Sequence, residues 1–274
     1  RSPAVLLDLD IAERNLQTYQ QACSKYKKSL WPMVKTHKSS YLLKKQMELG
    51  AEGFLCGTID ECEMAVAAGA GKIMYAYPPA NPKNISRLAV LAHKADVIIR
   101  IDHIDVARML ESAAEKEGIT FFYSIIVDMD FHRFGIAPSK VVAFAQEMKQ
   151  FSHLKFFGIS THPGQVYGCT TQEERQAVAK LETETMGNVA ADLKAAGFTD
   201  FFVTSGSTPT FALTVDQPEI QIYHPGNYIY HDAIQIALGS ATEADCSLSV
   251  LATIISHPSE DVFLCDRSEE HTSE

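Results

Sequence analysis

The chain has little of what marks several large protein classes. It has one tryptophan, six cysteines and fewer basic than acidic residues, 24 against 34, for a formal net charge of −10. That balance argues against nucleic acid or an anionic membrane surface as a general partner, because such partners are held by an excess of Lys and Arg. Local cations can still take a small anion. No apolar run approaches the roughly 20 residues that a membrane-spanning helix needs. The cysteines (Cys23, Cys56, Cys62, Cys169, Cys246 and Cys265) form no CxxC pair and no regular framework. A disulfide scaffold is thereby set aside, and reduced thiols in a cytoplasmic protein are expected.

What is present is an ordinary globular composition, 46% hydrophobic and 21% charged over 274 residues. That length suits one large α/β domain, or one domain plus part of a second. The chain opens on Arg1 rather than Met and carries no secretory leader pattern. Its end, RSEEHTSE, matches the in-frame translation of a sequencing-adapter oligonucleotide rather than the pattern before it. A gene fragment cut near Asp266 is expected, with residues 267–274 belonging to no domain.

One unit recurs: a helical stretch ends at glycine and an apolar, β-rich run follows, as in ELGAEGFLCG, AAGAGKIMYAY, AEKEGITFFYSIIV and KAAGFTDFFVTSG. Glycine suits the left-handed residue after a helix, and a continuous apolar run suits a strand buried on both faces. Helix starts are marked by Thr58 with Glu61, Thr171 with Glu174, and Asn81-Pro82. The buried runs WPMVK, GFLCG, KIMYAY, VIIRID, YSIIVDMD, FFGISTH, FFVTSG and EIQIYH predict eight parallel strands alternating with helices. Eight such units favour a closed (β/α)8 TIM barrel over an open sheet, spanning residues 10–235. AVLLDLD falls outside the count, and after residue 235 the pattern alternates without helices. Residues 1–9 and 236–266 are therefore read as part of an antiparallel β domain.

In barrel enzymes the chemistry lies at the C-terminal strand ends, often with phosphate after strands seven and eight. That rule selects Lys35 after strand one, Arg133 after strand five, and His162 with Tyr167 after strand six. SGSTPT supplies Ser205, Gly206, Ser207 and Thr208 at a short helix start, and PGNY supplies Gly226, Asn227 and Tyr228. Backbone N–H groups and hydroxyls at such a start suit a phosphate dianion. Lys35 follows the apolar Trp31, Pro32, Met33 and Val34, with His37 and Lys38 beside it. Burial and a positive field would free its amine to attack a carbonyl. A lysine facing a phosphate site points to a Schiff base with a phosphorylated aldehyde. Asp128 and Asp130 are expected to cap a loop and neutralise Arg133.

VKTHK, DMDFHRFG, THPGQVYG, SGSTPT and PGNYIYHD, in that order, resemble successive motifs of the D-threonine aldolase and D-serine dehydratase family. The likeness runs over residues 3–266. That family is related to the alanine racemase barrel and uses pyridoxal 5′-phosphate (PLP). The resemblance implies Lys35 as the residue bonded to the cofactor. It implies Ser205 to Thr208 and Gly226 to Tyr228 as the phosphate cradle, and Arg133 as a contact of the cofactor ring. Tyr167 would reach the pyridine nitrogen or pack on the ring. His162 would act as acid or base, or pack, or be structural. Relatives often have a second histidine where Gln165 stands. The implied reaction is retro-aldol cleavage of a D-threonine-like amino acid to glycine and an aldehyde. D-serine dehydration and a non-catalytic PLP carrier are the alternatives, with a lysine-based aldolase acting on phosphosugars as a further class. Family members also use a divalent metal, whose ligands are expected beyond this chain, so no metal site is expected here. His231 and Asp232 are neighbours facing opposite ways and make a poor chelate. A homodimer is expected for the full-length protein, and impaired activity for the fragment.

Overall fold

A computed structural model of the chain describes residues 1–267; apart from Arg267, the adapter-like tail lies outside the described residues. The strands are β1 (Ala4–Leu7), β2 (Ser29–Leu30), β3 (Phe54–Cys56), β4 (Lys72–Tyr75), β5 (Asp96–Ile101) and β6 (Phe121–Ile126). There follow β7 (Leu154–Ser160), β8 (Phe202–Ser205), β9 (Ile222–Tyr223), β10 (Leu248–Leu251), β11 (Ile254–Ser259) and β12 (Val262–Cys265). The helices are α1 (Leu9–Lys25), α2 (Ser40–Leu49), α3 (Ile59–Ala67), α4 (Pro82–Ala92) and α5 (Ile104–Glu117). The rest are α6 (Val141–Met148), α7 (Gln172–Ala195), α8 (Thr208–Thr214) and α9 (Ala233–Ala237).

Eight strands form one parallel sheet in the order β2-β9-β8-β7-β6-β5-β4-β3. The two ends meet through a single parallel bridge between Met33 and Leu55, where the Leu55 N–H donates to the Pro32 carbonyl at 3.0 Å. The ring thus closes, but by a far thinner seam than a full ladder. The first strand is correspondingly short. Instead of running through Lys35 it ends at Leu30, and Val34–Thr36 forms a 3-10 turn.

Period-two alternation divides the core. Along β5, Val97, Ile99 and Ile101 join the large cluster under the helices, while Ile98 joins Trp31, Met33, Leu55, Met74 and Ile222 in the lumen. Helix starts follow the sequence signals. Thr171 and Glu174 form a reciprocal capping box, and the Asn81 side chain caps α4 ahead of Pro82. The Thr58 hydroxyl accepts from the Glu61 N–H, but Glu61 turns back to the Gly57 N–H at 2.7 Å, one residue beyond a standard box.

Outside the barrel, β1 pairs antiparallel with β10, and β11 with β12. Ile254, Ile255, Val262 and Phe263 of the second hairpin are exposed. No helix among the described residues is long and apolar enough to cross a membrane.

Candidate active site

The loops after the strands enclose a cavity of about 610 Å³ at the barrel mouth. It gathers most of the selected residues: Lys35, Arg133, His162, Tyr167, Gly206, Ser207, Thr208, Gly226 and Asn227 all line it. A larger hollow of about 820 Å³ opens at the other end, against Ser29, Lys72, Asp96, Phe122 and Phe202. Those residues stand at strand beginnings, where barrels carry stability rather than chemistry.

Two selected side chains turn away. The Ser205 hydroxyl donates to Glu182 Oε1 at 2.6 Å, behind the barrel wall, and Tyr228 OH accepts from Gln46 Nε2 at 2.9 Å inside the core. Only their backbones can serve the cavity. The reason for Ser205 is alternation: its neighbour Thr204 faces the lumen, so Ser205 faces α7.

At the anion cradle, backbones approach closely. A methyl on Gly206 would sit 2.5 Å from the His224 backbone nitrogen, and one on Gly226 would sit 2.7 Å from Thr36 Oγ1. Glycine is required at both places, and the second packs the PGNY turn against the turn bearing Lys35. Thr208 is 2% exposed and its Oγ1 has no hydrogen-bond partner. Such an orphan hydroxyl, beside free backbone N–H groups at the start of α8, fits a bound phosphate.

Lys35 is exposed at the mouth rather than buried. Its expected helpers are also reassigned. His37 Nδ1 accepts from the Ser39 N–H at 3.1 Å, and burial pushes its imidazole down to about 4, so it is neutral near pH 7. Lys38 is exposed and does not line the cavity. The cations that share the cavity with Lys35 are Arg133 and Arg100.

The loop after β6 is pinned by Asp128, whose Oδ1 accepts from the N–H groups of Phe131 (3.1 Å) and His132 (3.0 Å). Asp128 thus caps the loop as expected, but it pairs with the His132 ring rather than Arg133. Asp130 is exposed. The Arg133 guanidinium lies over the rings of Phe134 (4.5 Å) and Phe131 (4.9 Å) instead. Gln165 ties this loop to the next by donating to the Met129 carbonyl at 2.8 Å, a structural use of that position.

His162 Nδ1 lies 2.8 Å from the Gly206 carbonyl, so the proton belongs on Nδ1 and Nε2 carries the lone pair. Burial, with Arg133, Arg100 and Lys35 nearby, lowers its imidazole to about 4. Tyr167 is 42% exposed, which places it at the rim. His231 is buried, and Asp232 is committed to the α9 cap and to the Asn227 amide at 2.6 Å. No group of three or more His, Cys, Asp or Glu is arranged to hold a metal among the described residues.

Three cavity or cradle residues escaped the sequence reading. Arg100 breaks the apolar run VIIRID at an inward position, a signal that was available. His224 ends EIQIYH, and its Nδ1 donates to the Trp31 carbonyl at 2.9 Å. Glu182 lies mid-helix and nothing local marked it.

Known proteins resemble this chain in sequence and fold. D-threo-3-hydroxyaspartate dehydratase of Delftia sp. (strain HT23) is 30% identical over 259 residues, covering 93% of this chain and 68% of that enzyme. D-serine dehydratase of Dictyostelium discoideum is 25% identical, covering 97% of this chain and 72% of that enzyme. The crystal structure of D-threonine aldolase from Filomicrobium marinum superposes with a TM-score of 0.91 at 26% identity, covering 97% of this chain and 73% of that one. The family described as "Alanine racemase, N-terminal domain" matches residues 7–233, the stretch that builds the barrel and its mouth. With the fold, the lysine turn and the glycine-lined cradle all in place, the chain belongs to that family.

Proposed function

We propose that the chain is a PLP-dependent lyase acting on D-β-hydroxy amino acids, cleaving the Cα–Cβ bond of a D-threonine-like substrate to glycine and an aldehyde. The observation that carries this reading is the single cavity shared by Lys35 and the Gly206–Thr208 and Gly226 cradle. The residues fit the cofactor. Thr208 Oγ1 and the close-packed glycines would hold its phosphate, Lys35 its aldehyde carbon, and Arg133 its ring. When bound, PLP supplies an electron sink for the pair left by the broken bond. The chain's own residues orient the substrate and move protons. His162, with Nδ1–H fixed on the Gly206 carbonyl, presents Nε2 as the acceptor for the β-hydroxyl proton. Its depressed basicity makes it a weak base while the cavity is open, and a negatively charged ligand beside it would raise that basicity. Among the described residues no group of three or more His, Cys, Asp or Glu is placed to hold a divalent cation.

The dehydration reading is favoured by the likeness to the Delftia dehydratase. There Lys35 takes the Cα proton and the β-hydroxyl leaves. Both readings predict an absorbance band near the visible edge when the protein is purified with PLP, absent from Lys35→Ala. Incubation with D-threonine and D-serine then separates them. Glycine release supports cleavage; ammonia release supports dehydration; a bound cofactor with neither product would sink the lyase reading.

A further inference from the structure

Arg100 is the most buried cation among the described residues, 3% exposed, and it faces the barrel lumen one residue before the C-terminal end of β5. No ion pair among the described residues includes it. Its Nε donates to the neutral Ser160 Oγ at 2.9 Å, and its Nη2 is buried without a partner. Burial lowers the guanidinium from its ordinary value, to about 10, which still leaves it charged near neutrality.

It is also not alone. Strand register sets Arg100 opposite Ser124 and Ser160 opposite Thr204, and His224 follows β9. Ser124 Oγ, Thr204 Oγ1 and His224 Nε2 are likewise buried and partnerless. One polar layer under the mouth therefore carries four unsatisfied atoms, with Arg100 and His224 lining the cavity above. A hollow of about 10 Å³, the size of one water, lies between Arg100, Arg133, Phe131 and His162. Water there could satisfy hydrogen bonds. It could not neutralise the charge, and a buried unpaired cation is strongly unfavourable.

Arg100 does not belong to the phosphate cradle itself. It rises from β5, three strands from β8 and opposite β9, the two strands that lead into the cradle, and its Nε reaches only as far as Ser160 on β7. We infer that Arg100 anchors a second oxyanion subsite, between β5 and β7 at the mouth, that takes an anionic oxygen of the bound ligands. This rests on the PLP reading for the first anion. Two sources share the chemistry: a carboxylate of the amino-acid substrate, and the ring oxygen of the cofactor. A planar guanidinium offers a fork that Lys cannot copy.

Arg100→Met and Arg100→Lys test this. In the ligand-free protein, Arg100→Met should melt no lower than the parent, because it removes an unpaired buried charge; a structural arginine would lower the melting temperature instead. Sodium malonate or formate at fixed ionic strength should raise the parent's melting temperature and leave Arg100→Met unmoved. With PLP loaded, a substrate carboxylate at Arg100 appears as a KM raised about 10- to 100-fold with an unchanged spectrum, the loss expected for one charge-assisted hydrogen bond. A cofactor ring oxygen there appears as weaker PLP binding and a displaced absorbance band at unchanged KM. Either pattern supports the subsite. Arg100→Met that matches the parent in anion response, KM and spectrum overturns it, as does one that melts lower while the parent ignores both anions. If the parent binds no PLP, the lyase reading falls, and the malonate arm still decides on Arg100.

Discussion

Replacing Glu182 by Gln should stabilise the protein above neutral pH. The carboxyl is 0% exposed, behind the phosphate cradle on α7, and its one side-chain hydrogen bond is Ser205 Oγ donating to Oε1 at 2.6 Å. Burial raises it from 4.5 to about 7, against the smaller lowering effect of the nearby Ser205 and Thr210 hydroxyls. A carboxyl raised on folding keeps its proton in the native state while the unfolded chain has lost it. Its contribution is thus fully present below pH 4.5 and lost as pH rises through about 7. At roughly 1.4 kcal/mol per pH unit, that displacement is about 3 kcal/mol. Glutamine keeps the shape and the acceptor for Ser205 but cannot ionise. Urea unfolding of parent and Glu182→Gln, from pH 4.5 to 8.5, should give curves that coincide at the acid end and separate by up to about 3 kcal/mol at the alkaline end. Buried histidines titrate over part of this range in both proteins, so the difference between the two is the readout. Parallel curves across the whole range would refute the buried, protonated carboxyl.

Those histidines give a second expectation. His37, His162, His224 and His231 are all lowered, chiefly by burial, so they stay neutral when folded while the unfolded chain protonates near 6.5. Their contribution is present above pH 6.5 and lost as pH falls toward 4, so the urea midpoint should drop across that window. Gly206→Ala, whose methyl would meet the His224 nitrogen at 2.5 Å, should weaken PLP binding at least 10-fold by fluorescence titration, since the cradle must open to admit it. Gly158→Ala tests the barrel itself: at φ +154° its methyl would lie 1.9 Å from the Phe202 carbonyl oxygen. A loss of 3 kcal/mol or more in unfolding free energy, or insoluble protein, is expected.

The sequence by itself determined the parallel barrel, because eight apolar runs separated by capped helices leave few other ways to bury both faces of each strand. The lysine turn and the cradle were also legible, since small residues and a helix start after late strands are local signals. β9 is one such late strand, and its PGNY turn packs against Thr36 because β9 pairs directly with β2, far away along the chain. Tertiary structure alone decided which way each side chain points. Ser205 and Tyr228 fell outside the cavity through strand alternation and core packing, and Arg133 found aromatic rings where a carboxylate was expected. His37 became neutral because burial disfavours its charge, and its Nδ1 accepts from the Ser39 N–H. Glu182 and the Ser124–Arg100–Ser160–Thr204 layer were brought together by pairings between strands and helices tens of residues apart. Partner identity for a buried polar group is set by what lies across the fold, and no local pattern along the chain encodes that.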